Sequence, residues 1–230
     1  MKTKRAHAIA LSLLLAMTPA SQGFAQQIGA GLRGGVSVSD FESDLGDFGT
    51  RVGIAFGLFA PIAFGNWFEI LPELQFVGKG SDNEITAQPA VVGQTSLEST
   101  NVDVSIGYLN LLVPAALTVP LHSSVQPRFY VGPTLALELS CRVAYSGGDV
   151  VRQSGCAEEA PDGGTGFVNT TTIDFGVVFG GGVDISAGPG AVTADVRYTH
   201  GLTNINAEDV PTLKNRALEF LVGFTITLSE

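Results

Sequence analysis

The chain has 230 residues, a formal net charge of −10, 29 glycines and only 15% charged residues. Its acidity argues against nucleic-acid binding, because that function needs clustered Lys and Arg to neutralise phosphates. The length is that of a single domain, and a mean hydropathy of +0.30 is unusually high for a water-soluble one.

The first 25 residues have the pattern of a secretory signal peptide. They contain a basic start, a short apolar core and two small residues before the expected cleavage point: Lys2, Lys4 and Arg5, then residues 8–17, then Gly23 and Ala25. The apolar core is too short to cross a bilayer, so an uncleaved anchor helix is disfavoured. We expect cleavage after Ala25, which leaves residues 26–230 as one domain.

After this segment, the sequence has no convincing membrane-spanning helix. The nearest candidate, residues 106–121, is interrupted by Asn110, Pro114 and Pro120. An exported chain that is apolar but lacks spanning helices fits a closed β-barrel, in which each strand pairs its backbone N–H and C=O groups with those of its neighbours.

Alternation of apolar and polar residues with a period of two predicts strands along the rest of the chain. In chain order, eight such strands lie within residues 28–41, 51–58, 68–79, 102–119, 128–142, 173–185, 192–199 and 217–228. The last strand shows the pattern best, with Leu218 and Phe220 on one face and Glu219 on the other. Since successive side chains lie on opposite faces of a strand, one face suits lipid and the other suits a polar lumen.

The fourth segment departs from this simple alternation. Its apolar residues occupy even positions up to Ile106 and odd positions from Leu109 onwards. A β-bulge near Tyr108 would explain the change of phase, because one extra residue re-aims the side chains that follow it. A strand buried on both faces would give the same pattern, so the sequence leaves both explanations open.

Short and long connections alternate along the chain. Three are short and rich in Gly or Pro, and four are longer and polar: residues 61–66, 120–127 and 187–190, against residues 42–49, 80–100, 143–169 and 203–214. Outer-membrane barrels have short periplasmic turns, longer external loops, an even number of strands and both termini inside. The sequence therefore predicts an all-β protein, an eight-stranded antiparallel transmembrane barrel with up-and-down topology.

Twelve charged side chains fall on lumen-facing positions in this scheme: Arg33, Arg51, Glu69, Glu73, Arg128, Glu138, Arg142, Asp174, Asp184, Asp195, Arg197 and Glu219. An eight-stranded barrel is just wide enough for its own side chains to fill it. We therefore predict a buried network of Arg–carboxylate pairs that closes the interior, in preference to a narrow conduction path or a ligand pocket.

The two cysteines, Cys141 and Cys156, flank the longest predicted external loop. Exported compartments are oxidising, so a disulfide at the base of this loop is the natural interpretation. A metal site is disfavoured, because no histidine lies nearby in the sequence and zinc prefers four ligands. We expect neither a metal nor a cofactor.

His200 is the one histidine whose position suggests chemistry, near an external strand end. A hydrolase needs a nucleophile, a base and an orienting group within hydrogen-bond reach of one another. The alternation puts His200 on the lipid side, and we cannot assemble such a set around it. We expect a protein without enzymatic activity.

Several motifs resemble, in their order, the PorT-like outer-membrane β-barrel family of Bacteroidetes-type bacteria. They span nearly all of residues 26–230 and begin at Gly31 (GLRGGVSVSDF), Leu71 (LPELQFVGKG), Tyr108 (YLNLLVP), Tyr130 (YVGP), Asp174 (DFGVVFGGGV) and Arg197 (RYTHGLTNI). That family more often has serine at the position of His200. The resemblance implies the barrel fold and the outer membrane of a Gram-negative bacterium, and it carries over no catalytic residues.

One member of that family is tied to protein secretion, and most have no assigned role. We expect a non-enzymatic barrel that anchors external loops for a structural, adhesion or secretion-accessory role. A small pore for ions or solutes and a rim-sited lipid or peptide hydrolase are the alternatives. We expect contacts with outer-membrane lipid and with other envelope or secretion proteins, none with nucleic acid, a monomeric state and periplasmic termini.

Overall fold

The computed structural model of the chain describes residues 26–44, 46, 48–87, 98–121, 124–147, 150–156, 170–206 and 212–229. Every regular element in these residues is a β-strand. Within them, no helix is long and apolar enough to cross a membrane. The expected signal peptide, residues 1–25, lies outside the described residues.

Twelve strands follow one another in this part of the chain: β1 (Gln26–Ser43), β2 (Arg51–Phe59), β3 (Ile62–Phe64), β4 (Phe68–Ile70), β5 (Glu73–Ala87), β6 (Glu98–Leu112), β7 (Ala115–Thr118), β8 (Val125–Gly147), β9 (Val150–Gly155), β10 (Ile173–Ala187), β11 (Gly190–Gly201) and β12 (Leu213–Ser229). We call each crossing of the barrel wall a span. Three spans are divided by short interruptions and consist of two strands each: β2 with β3, β4 with β5, and β6 with β7. β9 forms a hairpin with β8, and the other strands are spans by themselves. The sheet therefore has eight spans.

These eight spans close into a ring of antiparallel pairs. β12 pairs with β1 along their length, from Ile28 with Ser229 to Ser43 with Leu213. The remaining spans pair with their neighbours in sequence. A closed ring leaves no unpaired edge among the spans, as a sheet in lipid requires. The eight-stranded antiparallel barrel predicted from the sequence is confirmed.

The two ends of the barrel differ. One end, the turn end, carries both termini of the barrel and the short connections at residues 65–67, 119–124 and 188–189. The opposite end, the loop end, carries the longer connections, at residues 44–50, 88–97, 156–172 and 202–212. Short and long connections alternate as predicted, although strands extend into several of the predicted loops.

Four prolines lie side by side on neighbouring spans: Pro61, Pro72, Pro114 and Pro133. Proline has no N–H to donate to a sheet, which is why three spans are interrupted at this level. Each proline carbonyl still accepts a backbone hydrogen bond, at 2.8–3.2 Å, from Gly29, Ala60, Leu71 and Val113 respectively. The ring thus stays closed, and half of the predicted turn at residues 61–66 is strand β3 instead.

The outer face of the barrel is a belt of exposed apolar side chains. On β12, Phe220 is 45% exposed and Val222 is 62% exposed, whereas Glu219 is fully buried. The same alternation holds on β2, where Phe56 points outwards and Ala55 inwards. An apolar surface of this extent exceeds the patches that soluble monomers expose, so the belt suits lipid.

The fourth span does not change phase where the sequence pattern changes. Even positions from Val102 to Leu112 are all buried, so the bulge predicted near Tyr108 is wrong for β6. The irregularity lies in the partner strand β8, where Leu139 is the extra residue between the partners of Gly107 and Tyr108. The early apolar residues of β6 face the lumen because the loop end of the interior is itself apolar.

Two groups of apolar side chains pack inside the barrel. The larger group fills the loop end and includes Phe41, Val102, Val104, Ile106, Val143, Ile205 and Leu213. The smaller group lines one side of the interior: Leu71, Leu112, Ala116, Tyr130 and Val178. The remaining space in the middle of the barrel is occupied by charged side chains.

Candidate functional site

Three arginines and three carboxylates form the central network of the lumen: Arg33, Arg128, Arg197, Glu73, Asp195 and Glu219. Arg33 on β1 donates to Glu73 on β5 at 2.6 Å and to Asp195 on β11 at 3.4 Å. Arg197 on β11 donates to Glu73 at 2.7 Å and to Glu219 on β12 at 3.0 Å. Arg128 on β8 donates to both oxygens of Asp195 at 3.0 Å. The network therefore joins five spans across the lumen.

Glycines on the neighbouring strands make room for these long side chains. A Cβ on Gly180 would lie 2.6 Å from the Cβ of Arg197, and a Cβ on Gly223 would lie 2.7 Å from the Cβ of Arg33. Both distances are too short for two carbon atoms that are not bonded. A side chain at either glycine would therefore displace an arginine of the central network.

The buried charges are balanced. Among the described residues, eight Asp, Glu, Lys or Arg side chains are no more than 3% exposed: Arg33, Glu73, Lys79, Arg128, Asp174, Asp195, Arg197 and Glu219. Four are cationic and four are anionic, so their formal charges sum to zero. Because an unpaired buried charge is very costly, this balance allows so many ionised groups to occupy one interior.

A second polar cluster lies between the central network and the loop end. Asn215 donates to the Tyr108 hydroxyl at 3.1 Å and to Asp174 at 2.8 Å. Thr203 donates to the other oxygen of Asp174 at 2.6 Å. The Nζ of Lys79 lies 5.4 Å from the centre of the Tyr108 ring, within the range of a cation–π contact. Asp174 thus links the barrel wall to the last loop-end connection.

That connection folds back over the lumen. Ile205 is fully buried in the apolar group at the loop end. Its N–H donates to the carbonyl of Leu213 at 2.8 Å, and its carbonyl accepts from the N–H of Thr171 at 2.8 Å. In the described residues, the lumen is therefore filled by ion pairs in the middle and by apolar side chains at the loop end.

The structure places seven of the twelve predicted lumen charges in the buried interior: Arg33, Glu73, Arg128, Asp174, Asp195, Arg197 and Glu219. Four more are half-buried: Arg51, Glu69, Glu138 and Asp184. Arg51 pairs with Asp103 near the loop end, where their side chains are 26% and 41% exposed. Near the turn end, Glu69 accepts from Thr118 at 2.9 Å and Asp184 accepts from Arg128 at 3.1 Å. Glu69, Glu138 and Asp184 lie at the margins of the buried set. The predicted lumen position of Arg51 is wrong, because its side chain reaches Asp103, on an outward-facing position of β6.

The prediction that Arg142 faces the lumen is wrong. Arg142 is exposed, and its neighbour Val143 is buried instead. Even positions of β8 face inwards as far as Glu138, and the extra residue Leu139 reverses the alternation beyond it. The bulge therefore turns Arg142 to the outer surface of the barrel.

Among the interior polar residues absent from the predicted set are Gln75, Lys79 and Asn215. Gln75 donates to Glu219 at 2.7 Å, and the other two belong to the second polar cluster. Gln75 and Lys79 share the odd positions of Glu73, so the alternation alone places them in the lumen. Asn215 lies just before the predicted start of the last strand, where no pattern marked it.

Cys141 and Cys156 form a disulfide with Cα atoms 5.4 Å apart, which confirms the predicted pairing. The bond closes the β8–β9 hairpin, whose strands pair from Arg142 with Gly155 to Gly147 with Val150. Cys156 is also part of the apolar group at the loop end. The disulfide therefore fixes the base of the hairpin against the barrel.

His200 is half-buried near the loop end of β11. Its ring stacks on Tyr198, with centroids 6.4 Å apart and planes inclined by 17°. In the sheet it is paired with Arg216, which donates to Asp40 at 2.8 Å. These contacts place His200 in an aromatic and ionic rim above the apolar belt.

Comparison with known proteins gives one family and several similar structures. The profile of a family described as "Outer membrane protein beta-barrel domain" matches residues 24–207. No protein with a curated description matches the sequence.

Among solved structures, Neisserial surface protein A is 14% identical with a TM-score of 0.45, over 86% of this chain and 97% of that one. The attachment invasion locus protein Ail of Yersinia pestis, in complex with the heparin analogue sucrose octasulfate, is 10% identical with a TM-score of 0.41, over 87% and 99%. OprG of Pseudomonas aeruginosa is 11% identical with a TM-score of 0.42, over 88% and 96%.

Proposed function

Since this chain belongs to the outer-membrane protein β-barrel domain family, we propose that it is a non-conducting, non-enzymatic barrel that presents its loops outside the cell. The family places it in the outer membrane of a Gram-negative bacterium. The role we propose for the loops is adhesion or an accessory part in secretion, in line with the PorT-like motifs. The partners would be outer-membrane lipid and other envelope or secretion proteins, and the barrel would act as a monomer.

One observation carries the proposal, namely the filled lumen. Arg197, Glu73 and Glu219 are each at most 2% exposed and occupy the axis of the barrel. An ion could pass only if this network opened, and opening it would strand charges at a cost of about 3–5 kcal/mol for each broken pair. A barrel built in this way supports anchoring better than conduction.

The loop end is the end that we propose faces outwards. It carries every longer connection, the disulfide-closed hairpin and the buried loop residue Ile205. Barrels of this class keep short turns and both termini in the periplasm. An epitope inserted within residues 157–169 should bind antibody on intact cells, whereas a C-terminal epitope should bind only after permeabilisation. The reverse result would contradict this orientation.

The test of the closed lumen is conductance in planar bilayers. Purified protein should give no stepwise openings at moderate voltages. The double variant Glu73→Ala with Arg197→Ala removes one positive and one negative charge from the axis, so any conductance should arise there and not in the matched outer pair Arg51→Ala with Asp103→Ala. Stable openings of the unmodified protein would overturn the proposal and favour a small pore.

A further inference from the structure

Two depressions on the outer surface of the barrel share Phe76 and continue one another. The first, of about 460 Å³, lies towards the loop end and is lined by Arg51, Arg142, Ile54 and Gly107 among others. The second, of about 360 Å³, is lined mainly by apolar side chains such as Leu74 and Leu109. We call the two together the outer groove. It runs along β2, β5 and β6 on the lipid-facing side.

The register of the sheet shows how the chemistry of the outer groove changes along its length. Towards the turn end, Phe76 is paired with Leu109, which is apolar. The next outward-facing row is Gly78, Gly107 and Ser140, and the row beyond it contains Ser105 and Arg142. The groove therefore passes from apolar walls through a floor of small residues to a basic end. Lipids show the same order of chemistry, from acyl chain to charged headgroup.

Glycine at position 78 leaves the floor of the outer groove empty, although the surrounding atoms would leave room for a side chain there. A Cβ on Gly78 would lie 3.7 Å from the nearest atoms, which is ordinary van der Waals contact. Gly78 also has no positive φ. A side chain would fit there, and it would fill the groove beside Phe76 and Ile54. Glycine at this position therefore leaves space for a molecule from outside the chain.

The basic end carries two arginines and two aspartates, because Asp82 is exposed and paired in the sheet with Asp103. Arg51 is paired with Asp103 on β6, while Arg142 on the neighbouring strand β8 is exposed. The bulge at Leu139 is what turns Arg142 to this surface. From Gly78 to Leu74 the groove covers about 13 Å along the strand, close to the roughly 15 Å of hydrocarbon in one leaflet. The groove thus has the length to hold one acyl chain of that leaflet, with the exposed guanidinium of Arg142 at its end.

We propose that the outer groove binds one phosphorylated, acylated glycolipid of the outer leaflet. An acyl chain lies along Leu74, Phe76 and Gly78, and a phosphate of the headgroup accepts hydrogen bonds from Arg142. Arginine suits this role because its planar guanidinium forms paired hydrogen bonds with phosphate oxygens. The proposal rests on the proposed orientation, because only then does the basic end lie at the level of the outer-leaflet headgroups.

The test is native mass spectrometry of the whole protein in detergent micelles, with bisphosphorylated lipid A as the probe. The unmodified protein should retain one lipid A molecule. Arg142→Ala should weaken binding roughly fivefold, the effect of one cation near a lipid phosphate. Gly78→Leu fills the groove and should weaken binding at least as much. Dephosphorylated lipid A should bind the unmodified protein about as weakly as lipid A binds Arg142→Ala.

Two control variants match these changes elsewhere on the barrel. Lys214→Ala removes one cation from the loop end of β12, and Ala194→Leu adds apolar bulk to the lipid face of β11. Both should bind lipid A as the unmodified protein does. Each variant is first shown to be folded by its heat-modifiable migration on gels, and Arg142→Ala changes only an exposed side chain. Binding can therefore be compared among folded proteins.

The other outcomes would overturn the proposal. Equal losses in the control variants, or equal retention of lipid A and phosphatidylcholine, would mean non-specific lipid contact. Tighter retention of phosphatidylglycerol than of lipid A would reject the glycolipid. Because the assay is performed in detergent, it does not depend on orientation or conductance. A negative binding result would therefore not contradict the proposal of a closed barrel. A wrong orientation would be shown by the epitope experiment alone.

Discussion

Arg197 and Glu73 lie on diametrically opposite spans of the eight-span ring and are joined directly across the lumen. Two guanidinium nitrogens of Arg197 donate to the two carboxylate oxygens of Glu73 at 2.7 and 3.3 Å. Both side chains are completely buried. Because this pair fills the lumen at that level, the same contact supports the fold and, as we propose, closes the barrel to ions.

Removing the charge of Glu73 should be far more destabilising than removing an outer charge. Glu73→Gln keeps the size of the side chain but leaves Arg33 and Arg197 with a buried excess of positive charge. We expect the free energy of unfolding to fall by about 3–5 kcal/mol. Urea titrations followed by the fluorescence of Trp67, the single tryptophan, would measure it. Asp103→Asn at the half-exposed pair should cost less than about 1 kcal/mol, and similar losses in the two variants would contradict this account.

The contact between Arg197 and Glu73 should also give a measurable interaction free energy between the two side chains. Each single variant, Arg197→Met or Glu73→Gln, strands charges on its partners. The double variant removes one charge of each sign and should lose less stability than the sum of the two singles, by about 0.5–3 kcal/mol. A double-mutant cycle of unfolding free energies measures this difference. Strict additivity would show that the two side chains do not act together.

Loss of the disulfide should loosen the hairpin and spare the barrel. The sequence separation of Cys141 and Cys156 is 15 residues, for which the chain-entropy model gives a stabilisation of about 3 kcal/mol. The double variant Cys141→Ser with Cys156→Ser should therefore be cut faster by protease within residues 142–155. Heat-modifiable migration should persist. Loss of that migration would mean that the barrel itself depends on the bond.

Asp174→Asn should free the last loop-end connection. The change removes the charge that accepts from Thr203 and Asn215, and a buried polar group left without its partner costs about 1–3 kcal/mol. We expect faster hydrogen exchange at residues 202–206, measured by mass spectrometry. Asp184→Asn, near the turn end, is the matched control and should leave this segment unchanged. Equal hydrogen exchange at residues 202–206 in both variants would show that Asp174 does not hold this connection in place.

His200→Ala should leave the composition of the outer membrane unchanged, because we propose a non-enzymatic protein. The ring stacks on Tyr198 at the rim, so its loss should affect only local packing. Mass spectrometry of lipid A and of the outer-membrane proteins, in cells that express either form, is the measurement. Altered acylation of lipid A, or an altered proteolytic pattern, would count against the proposal and favour a rim-sited hydrolase.

Much of this fold follows from the sequence because a strand repeats every two residues. The pattern around Phe220 and Glu219 assigns each side chain to lipid or lumen without knowledge of the partner strand. The prediction was wrong where the period was broken by a neighbour. Leu139 is an ordinary leucine in an apolar run, and only its pairing opposite Gly107 and Tyr108 makes it a bulge. Arg142 was therefore assigned to the wrong face.

The sequence by itself determined that charged side chains would enter the lumen, and that they would have to be paired there. Only the tertiary structure decided which charges meet. Arg197 and Glu73 are 124 residues apart in sequence, and they face each other because ring closure between β1 and β12 sets the position of every span around the axis. Which charged side chains pair therefore depends on ring closure and on the register between strands. The alternation of apolar and polar side chains depends on the local backbone alone, so it can be recognised in the sequence, whereas the pairing of charges cannot.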